Sequence, residues 1–258
     1  MAHTKEILTL AVEIGDTMLR NGAEIYRVED SLIHILESCN VENFDVYVLS
    51  NGIFASANED REDACSMIRH VPISSVNLGK VAALNQLVRD ICDHKCSIEE
   101  ATVCLTECKH IPPYPKPVLV TCCAVACGCF CYLFGGTFLD MLIATAIGAI
   151  EQLFLFACER KHVSRFLTNV FASLVVAILS ILAFASGLPV HHDKIIIGDI
   201  MPLVPGIVFT TSIRDFYNSD YLSGTIHLID ALLTALCIAV GICLPIVLFR
   251  YLGGGLAL

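Results

Sequence analysis

Pro112-Pro113-Tyr114-Pro115-Lys116-Pro117 runs directly into Val118–Phe134, seventeen residues without a charge, and this join decides how the rest of the chain is read. Proline fixes its own φ and removes an amide donor, so four prolines in six residues make a stiff linker. The apolar run that follows approaches the roughly 20 residues that span a bilayer as a helix. Charge is distributed to match. Of 16 Lys/Arg and 26 Asp/Glu in the 258-residue chain, 10 and 18 precede Val118. The overall charged fraction is 16%, against about 25% in soluble globular chains. The expected architecture is therefore an α+β soluble N-terminal domain at 1–117, linker included, followed by an all-α polytopic membrane domain at 118–258.

Working outward from the join toward the C-terminus, five apolar stretches follow: Val118–Phe134, Thr137–Phe156, Phe166–Val190, Ile195–Ile213 and Ile226–Tyr251. Each is near bilayer length, giving about five transmembrane helices. Arg160, Lys161 and Arg165 fall between the second and third stretches, whereas the opposite loops hold Lys194 as their single Lys or Arg. Lys and Arg gather on the cytoplasmic side of inner-membrane proteins. That places the N-terminal domain inside and, after five crossings, the C-terminus outside.

Toward the N-terminus, Ile7, Ala11, Ile14 and Met18 recur at helical spacing, as do Ile25, Val28, Leu32, Ile35 and Cys39. Phe44, Val46 and Val48 alternate with polar residues, and Asn51-Gly52 leads into Ile53–Ala57, a hairpin signal. A third strand is expected near Ser66–Val71, and helices from Leu78 to Ile91 and from Ser97 to about Lys109. The domain is acidic, which argues against nucleic acid as a partner. Met1–Asp16 carries acids and no apolar core of a signal peptide, so the domain is expected to stay in the cytoplasm. Fourteen cysteines in such a location read as small hydrophobic residues, not as a disulfide framework.

Four acids interrupt the apolar stretches: Asp140, Glu151, Asp199 and Asp230. A carboxyl group in a bilayer is costly unless it faces protein or water, so intramembrane acids mark pathways and proton relays. Asp140 and Glu151 stand close to three helical turns apart and share a face. Asp140 and Asp230 have an alternative reading as hydrated residues at the membrane interface. Asp199 opens a segment with Pro202, Pro205 and Gly206, then Thr210, Arg214 and Asp215, which a regular helix does not accommodate. Irregular backbone at membrane depth persists where it is buried in protein or lines a cavity, and broken helices of this kind form substrate sites in secondary transporters. The alternative is a packed proline kink.

In the soluble domain, Tyr26, Arg27, Glu29 and Asp30 crowd one helix, either as a docking surface or as a solvated face with local ion pairs. Asn51 and Gly52 belong to the hairpin. Cys92, Cys96, Cys104 and Cys108, in a C-x3-C-x7-C-x3-C pattern, are weak metal candidates because the spacing departs from the usual zinc signatures. Cys122, Cys123, Cys127, Cys129 and Cys131 read as packing residues of the first span. His191-His192-Asp193 reads as a hydrated turn with a weak metal alternative.

Taken together, Gly22–Asp30 (GAEIYRVED), Asn51–Ser56 (NGIFAS) and Met201–Gly206 with Thr210, Arg214 and Asp215 resemble the threonine/serine exporter family over essentially the whole chain. The resemblance implies efflux of small hydrophilic metabolites. With nothing after the fifth stretch, the chain is similar to the large subunit of a split, two-component exporter. Similar split systems are associated with succinate and fused ones with threonine and serine. A small membrane subunit is the implied partner, besides the small-molecule substrate, the lipid bilayer and a homo-oligomeric copy. No cofactor and no catalytic residue is implied. No P-loop is present, so proton coupling is expected in place of ATP hydrolysis. The competing reading is a membrane-anchored hydrolase using Ser50, Ser56 or Cys65 with His34 or His70, although no nucleophile-elbow pattern surrounds them. A third is an assembly subunit that transports nothing itself.

Overall fold

The computed structural model describes residues 2–58, 64–72, 76–161 and 163–252, and the chain divides into two compact units, Met1–Pro113 and Tyr114–Leu258. The first unit runs α1 (Ala2–Arg20), α2 (Ile25–Ser38), β1 (Asn43–Leu49), β2 (Gly52–Asn58), β3 (Ala64–His70), α3 (Leu78–Cys92) and α4 (Ile98–Lys109). The strands form an antiparallel sheet in the order β1-β2-β3. Leu49 pairs with Gly52, so Ser50 and Asn51 make the hairpin loop and Gly52 is already strand. Ile53, Ala55 and Ala57 alternate inward along β2, against Ile7, Ile14 and Met18 of α1 and Leu32 and Ile35 of α2 in one core. Burying each of these isoleucine, leucine and methionine side chains contributes about 1.5–3 kcal/mol, which holds the helices on the sheet.

Local sequence explains where these helices start and stop. Gly22, at φ +90°, turns the chain between α1 and α2, and a Cβ there would also strike Val76. Ser97 and Glu100 cap α4 reciprocally, each side chain accepting the other's backbone N–H, as its Ser-x-x-Glu pattern requires. Asn77 caps α3 by accepting from the Lys80 amide at 3.2 Å.

The second unit is all helical: α5 (Lys116–Leu133), α6 (Phe138–Arg160), α7 (Arg165–Ala185), α8 (His192–Ile200), α9 (Gly206–Tyr217) and α10 (Tyr221–Tyr251). Pro115 and Pro117 stand at the N-terminus of α5, where a missing amide proton costs nothing, so the end of the proline run already belongs to the helix.

Of the five expected spans, four form as continuous helices. Among the described residues, four helices are long and apolar enough to cross a membrane: α5, α6, α7 and α10, of 18, 23, 21 and 31 residues. The fourth predicted stretch, Ile195–Ile213, is instead two short helices, of 9 and 12 residues, and neither alone reaches bilayer length. Pro202 has no amide to continue α8, and Pro205 sits at the N-cap of α9. Between them the chain makes a tight turn, with the Leu203 and Val204 amides both donating to the Ile200 carbonyl.

Packing positions α8. It lies against α5, α6 and α7, whereas α9 leaves it and packs chiefly against α10. The close approach depends on missing side chains. A Cβ on Gly148 would stand 2.5 Å from Cys127 Sγ, and one on Gly198 would stand 2.7 Å from the Cys131 backbone nitrogen. These two glycines let α6 and α8 settle directly onto α5.

Candidate functional site

Three elements converge on the middle of α5. Cys127 is fully buried there. Its Sγ lies 4.0 Å from Glu151 Oε2 on α6 and 4.0 Å from the Asp199 carbonyl at the end of α8. Glu151 and Asp199 have no exposed surface. Glu151 Oε1 and both Asp199 carboxyl oxygens are buried without a hydrogen-bond partner. Buried polar groups in folded proteins are almost always paired, and an unpaired buried charge is costly. No Lys, Arg or His is buried among the described residues.

Asp140 contrasts with them although it shares the inward face of α6. It is equally buried, but every face of its carboxyl group is occupied. Oδ2 accepts from the Thr137 amide at 2.7 Å, the Thr137 hydroxyl at 2.8 Å and His191 Nδ1 at 2.9 Å, and Oδ1 accepts from the His191 amide at 2.8 Å. Thr137 and Asp140 form a capping box at the start of α6 that also fixes the loop ahead of α8. Asp230 is tied to Arg165 at 3.0 Å.

The residues after the break are placed elsewhere. Pro202 and Gly206 are exposed on the unit and Pro205 is half-exposed. Thr210 is exposed and turns its hydroxyl back to the Gly206 and Ile207 carbonyls at 3.0 and 2.9 Å. Arg214 is exposed on α9. Asp215 is buried and accepts from His227 of α10 at 2.7 Å, beside a Ser212 hydroxyl that donates to the Gly224 carbonyl at 2.9 Å. Thus Asp199 and Glu151 are brought together, while Thr210, Arg214 and Asp215 belong to the α9–α10 joint.

The polar motif of the soluble unit is a helix face with one structural tie. Tyr26 is 52% exposed. Arg27 pairs with Glu24 at 3.4 Å, and Asp30 with His34 at 3.4 Å. Glu29 alone reaches out, accepting from the Val48 amide at 3.0 Å and fastening α2 to the open edge of β1. The Asn51 carbonyl accepts from the Val71 amide at 2.8 Å. Cys92, Cys96, Cys104 and Cys108 are half-buried and pack against the hydrophobic core. Burial pushes the Cys92, Cys96 and Cys108 thiols up, away from the thiolate that binds metals.

Among the described residues, those four do not form a group that closes on an ion; the one such group is Cys123, Cys127 and Glu151. Cys127 and Cys131 are buried packing residues, as expected for α5, and that reading did not anticipate the group. The signal was there in the i,i+4 spacing of Cys123 and Cys127, but the partner helix that brings Glu151 to them is not legible from one helix alone.

Residues 9–249 match the family model for the threonine/serine exporter, ThrE, which spans both units. The chain belongs to the threonine/serine exporter family. No curated protein and no solved structure matches the chain. Family membership and the four long apolar helices make it a multi-pass membrane protein of a transporter family, an exporter of threonine/serine type. The hydrolase alternative finds no support: Ser50 lies in the hairpin loop and His34 Nδ1 contacts the carbonyl of Asp30 in its own helix at 2.7 Å.

Proposed function

We propose that this exporter-family chain is one subunit of a secondary, proton-coupled exporter, with a smaller membrane subunit as its partner. It moves small hydrophilic metabolites out of the cytoplasm across the inner membrane. The observation that carries the reading is the meeting of two buried acids: Asp199, with both carboxyl oxygens unpartnered at the end of a helix broken by Pro202 and Pro205, and Glu151 of α6, with one carboxyl oxygen unpartnered. Such a pair has two fitting occupants, a proton and the ammonium group of an amino acid. A dicarboxylate such as succinate would be repelled by the same charges unless they are protonated, so the site favours threonine or serine.

The α8–α9 pair acts in this reading as a fifth, discontinuous crossing. His191, just before α8, is bonded to Asp140 at the start of α6. Asp230, after α9, is bonded to Arg165, which follows the end of α6. In this reading the chain between them travels from one end of α6 to the other. Arg160, Lys161 and Arg165 gather at that second end, which supports a cytoplasmic N-terminal unit. Freed backbone groups at the break then face the pathway, as in transporters built on discontinuous helices.

The test is efflux from cells loaded with threonine, serine or succinate, with and without this chain and its partner subunit. The expected result is chain-dependent export of an amino acid that falls when the proton gradient is collapsed. Export of succinate alone would move the assignment to dicarboxylates, and chain-independent efflux of all three would overturn it.

A further inference from the structure

Two thiols and a carboxylate surround one point inside the membrane unit. Cys123 and Cys127 stand one turn apart on α5, and Glu151 comes from α6. One ligand atom of each lies within 4.8 Å of the others. Cys127 and Glu151 are fully buried and Cys123 is half-buried. Glu151 Oε1 is an unpartnered atom of a side chain with no exposed surface. Both oxygens of the neighbouring Asp199 carboxyl are in the same condition, so acceptor atoms without hydrogen-bond partners gather here.

We propose that Cys123 Sγ, Cys127 Sγ and the Glu151 carboxylate form a binding site for a thiophilic divalent cation of the zinc class. Soft thiolate ligands select zinc-like ions over magnesium or calcium, which prefer all-oxygen shells. A sulfur and an oxygen on one tetrahedral zinc stand roughly 3.6 Å apart, given bonds of about 2.3 and 2.1 Å. The Cys127 Sγ to Glu151 Oε2 separation of 4.0 Å is close to that without any backbone movement. Each thiol gives its proton to water as its sulfur–metal bond forms. Three protein ligands leave a fourth position open, as in zinc sites that exchange a bound water. The ion ties α5 to α6 where Gly148 already brings them together, with Asp199 close by. The site shares Glu151 with the proposed export pathway, and its test reads metal binding alone, without transport.

The test uses the full chain in lipid nanodiscs under reducing conditions, with Zn2+ alone as the probe. X-ray absorption at the zinc edge should show two sulfur neighbours at about 2.3 Å. Cys123→Ser and Cys127→Ser should each weaken zinc binding at least about tenfold, and Glu151→Gln by about tenfold, the scale on which even outer-shell changes act. Cys96→Ser should leave affinity unchanged. A shell of oxygen and nitrogen alone, wild-type affinity in both α5 serine variants, or loss of the site in Cys96→Ser would each overturn the proposal. Should Cys127→Ser not remain monodisperse, Cys123→Ser and the wild-type absorption spectrum decide the matter by themselves.

Discussion

Asp140 and Asp199 are both aspartates without exposed surface, in the same helical unit, and their surroundings are opposite. At the start of α6, Asp140 accepts four hydrogen bonds and joins a helix N-terminus to the loop that carries His191. At the end of α8, Asp199 accepts none on its carboxyl oxygens. The first environment compensates a negative charge several times over, including the favourable N-terminal end of a helix dipole. We propose that the second leaves the carboxyl to be satisfied by an occupant that comes and goes, which burial alone would not imply.

The contrast makes Asp140→Asn the sharpest structural test. An amide in place of the carboxylate turns one acceptor into a donor facing the Thr137 or His191 donors. Leaving such a buried group unsatisfied costs about 1–3 kcal/mol. The expected outcome is a lower Tm and reduced membrane abundance, with efflux per surviving molecule near wild type. Unchanged stability would mean that the cap does not hold the region together.

Gly148→Ala bears on the other side of the comparison. Its methyl group would meet Cys127 Sγ at 2.5 Å, so α5 and α6 must part. Overpacking of this kind costs typically about 1–3 kcal/mol, and Cys127 Cβ, 2.8 Å from the added methyl group, cannot rotate out of its way. The melting temperature of the purified chain should fall, together with a weaker zinc site. An unaltered melting curve would show that the helices are looser than their packing indicates.

Much of this was legible in the sequence. Helical and strand periodicity placed the elements of the soluble unit because one face of each had to be apolar, and the Ser97-x-x-Glu100 pattern marks the start of α4. Pro202 and Pro205 announced a break. Hydropathy, however, sees Ile195–Ile213 as continuous and carries no trace of the chain leaving α8 to pack on α10. Asp140 illustrates both sides: Thr137-x-x-Asp140 is a readable capping pattern, but its link to His191 is tertiary. Arg27 and Asp30 find partners within their own helix, as their i,i+3 and i,i+4 spacings allow, whereas Glu29 reaches a strand that local spacing does not reveal. The meeting of Cys123, Cys127 and Glu151 depends on how two apolar helices rotate about each other, which small residues such as Gly148 decide only once both are packed.

We propose that the unpartnered Asp199 works in transport while the partnered Asp140 holds the structure. Efflux normalised to membrane abundance, measured for Asp199→Asn and Asp140→Asn side by side in the assembled exporter, separates the two roles. Asp199→Asn is expected to keep its abundance and thermal stability, since neither carboxyl oxygen accepts a hydrogen bond, and to lose efflux by about a hundredfold or more, as for an essential proton or ammonium site. Wild-type efflux in Asp199→Asn, or a loss of efflux explained entirely by lost protein, would contradict it.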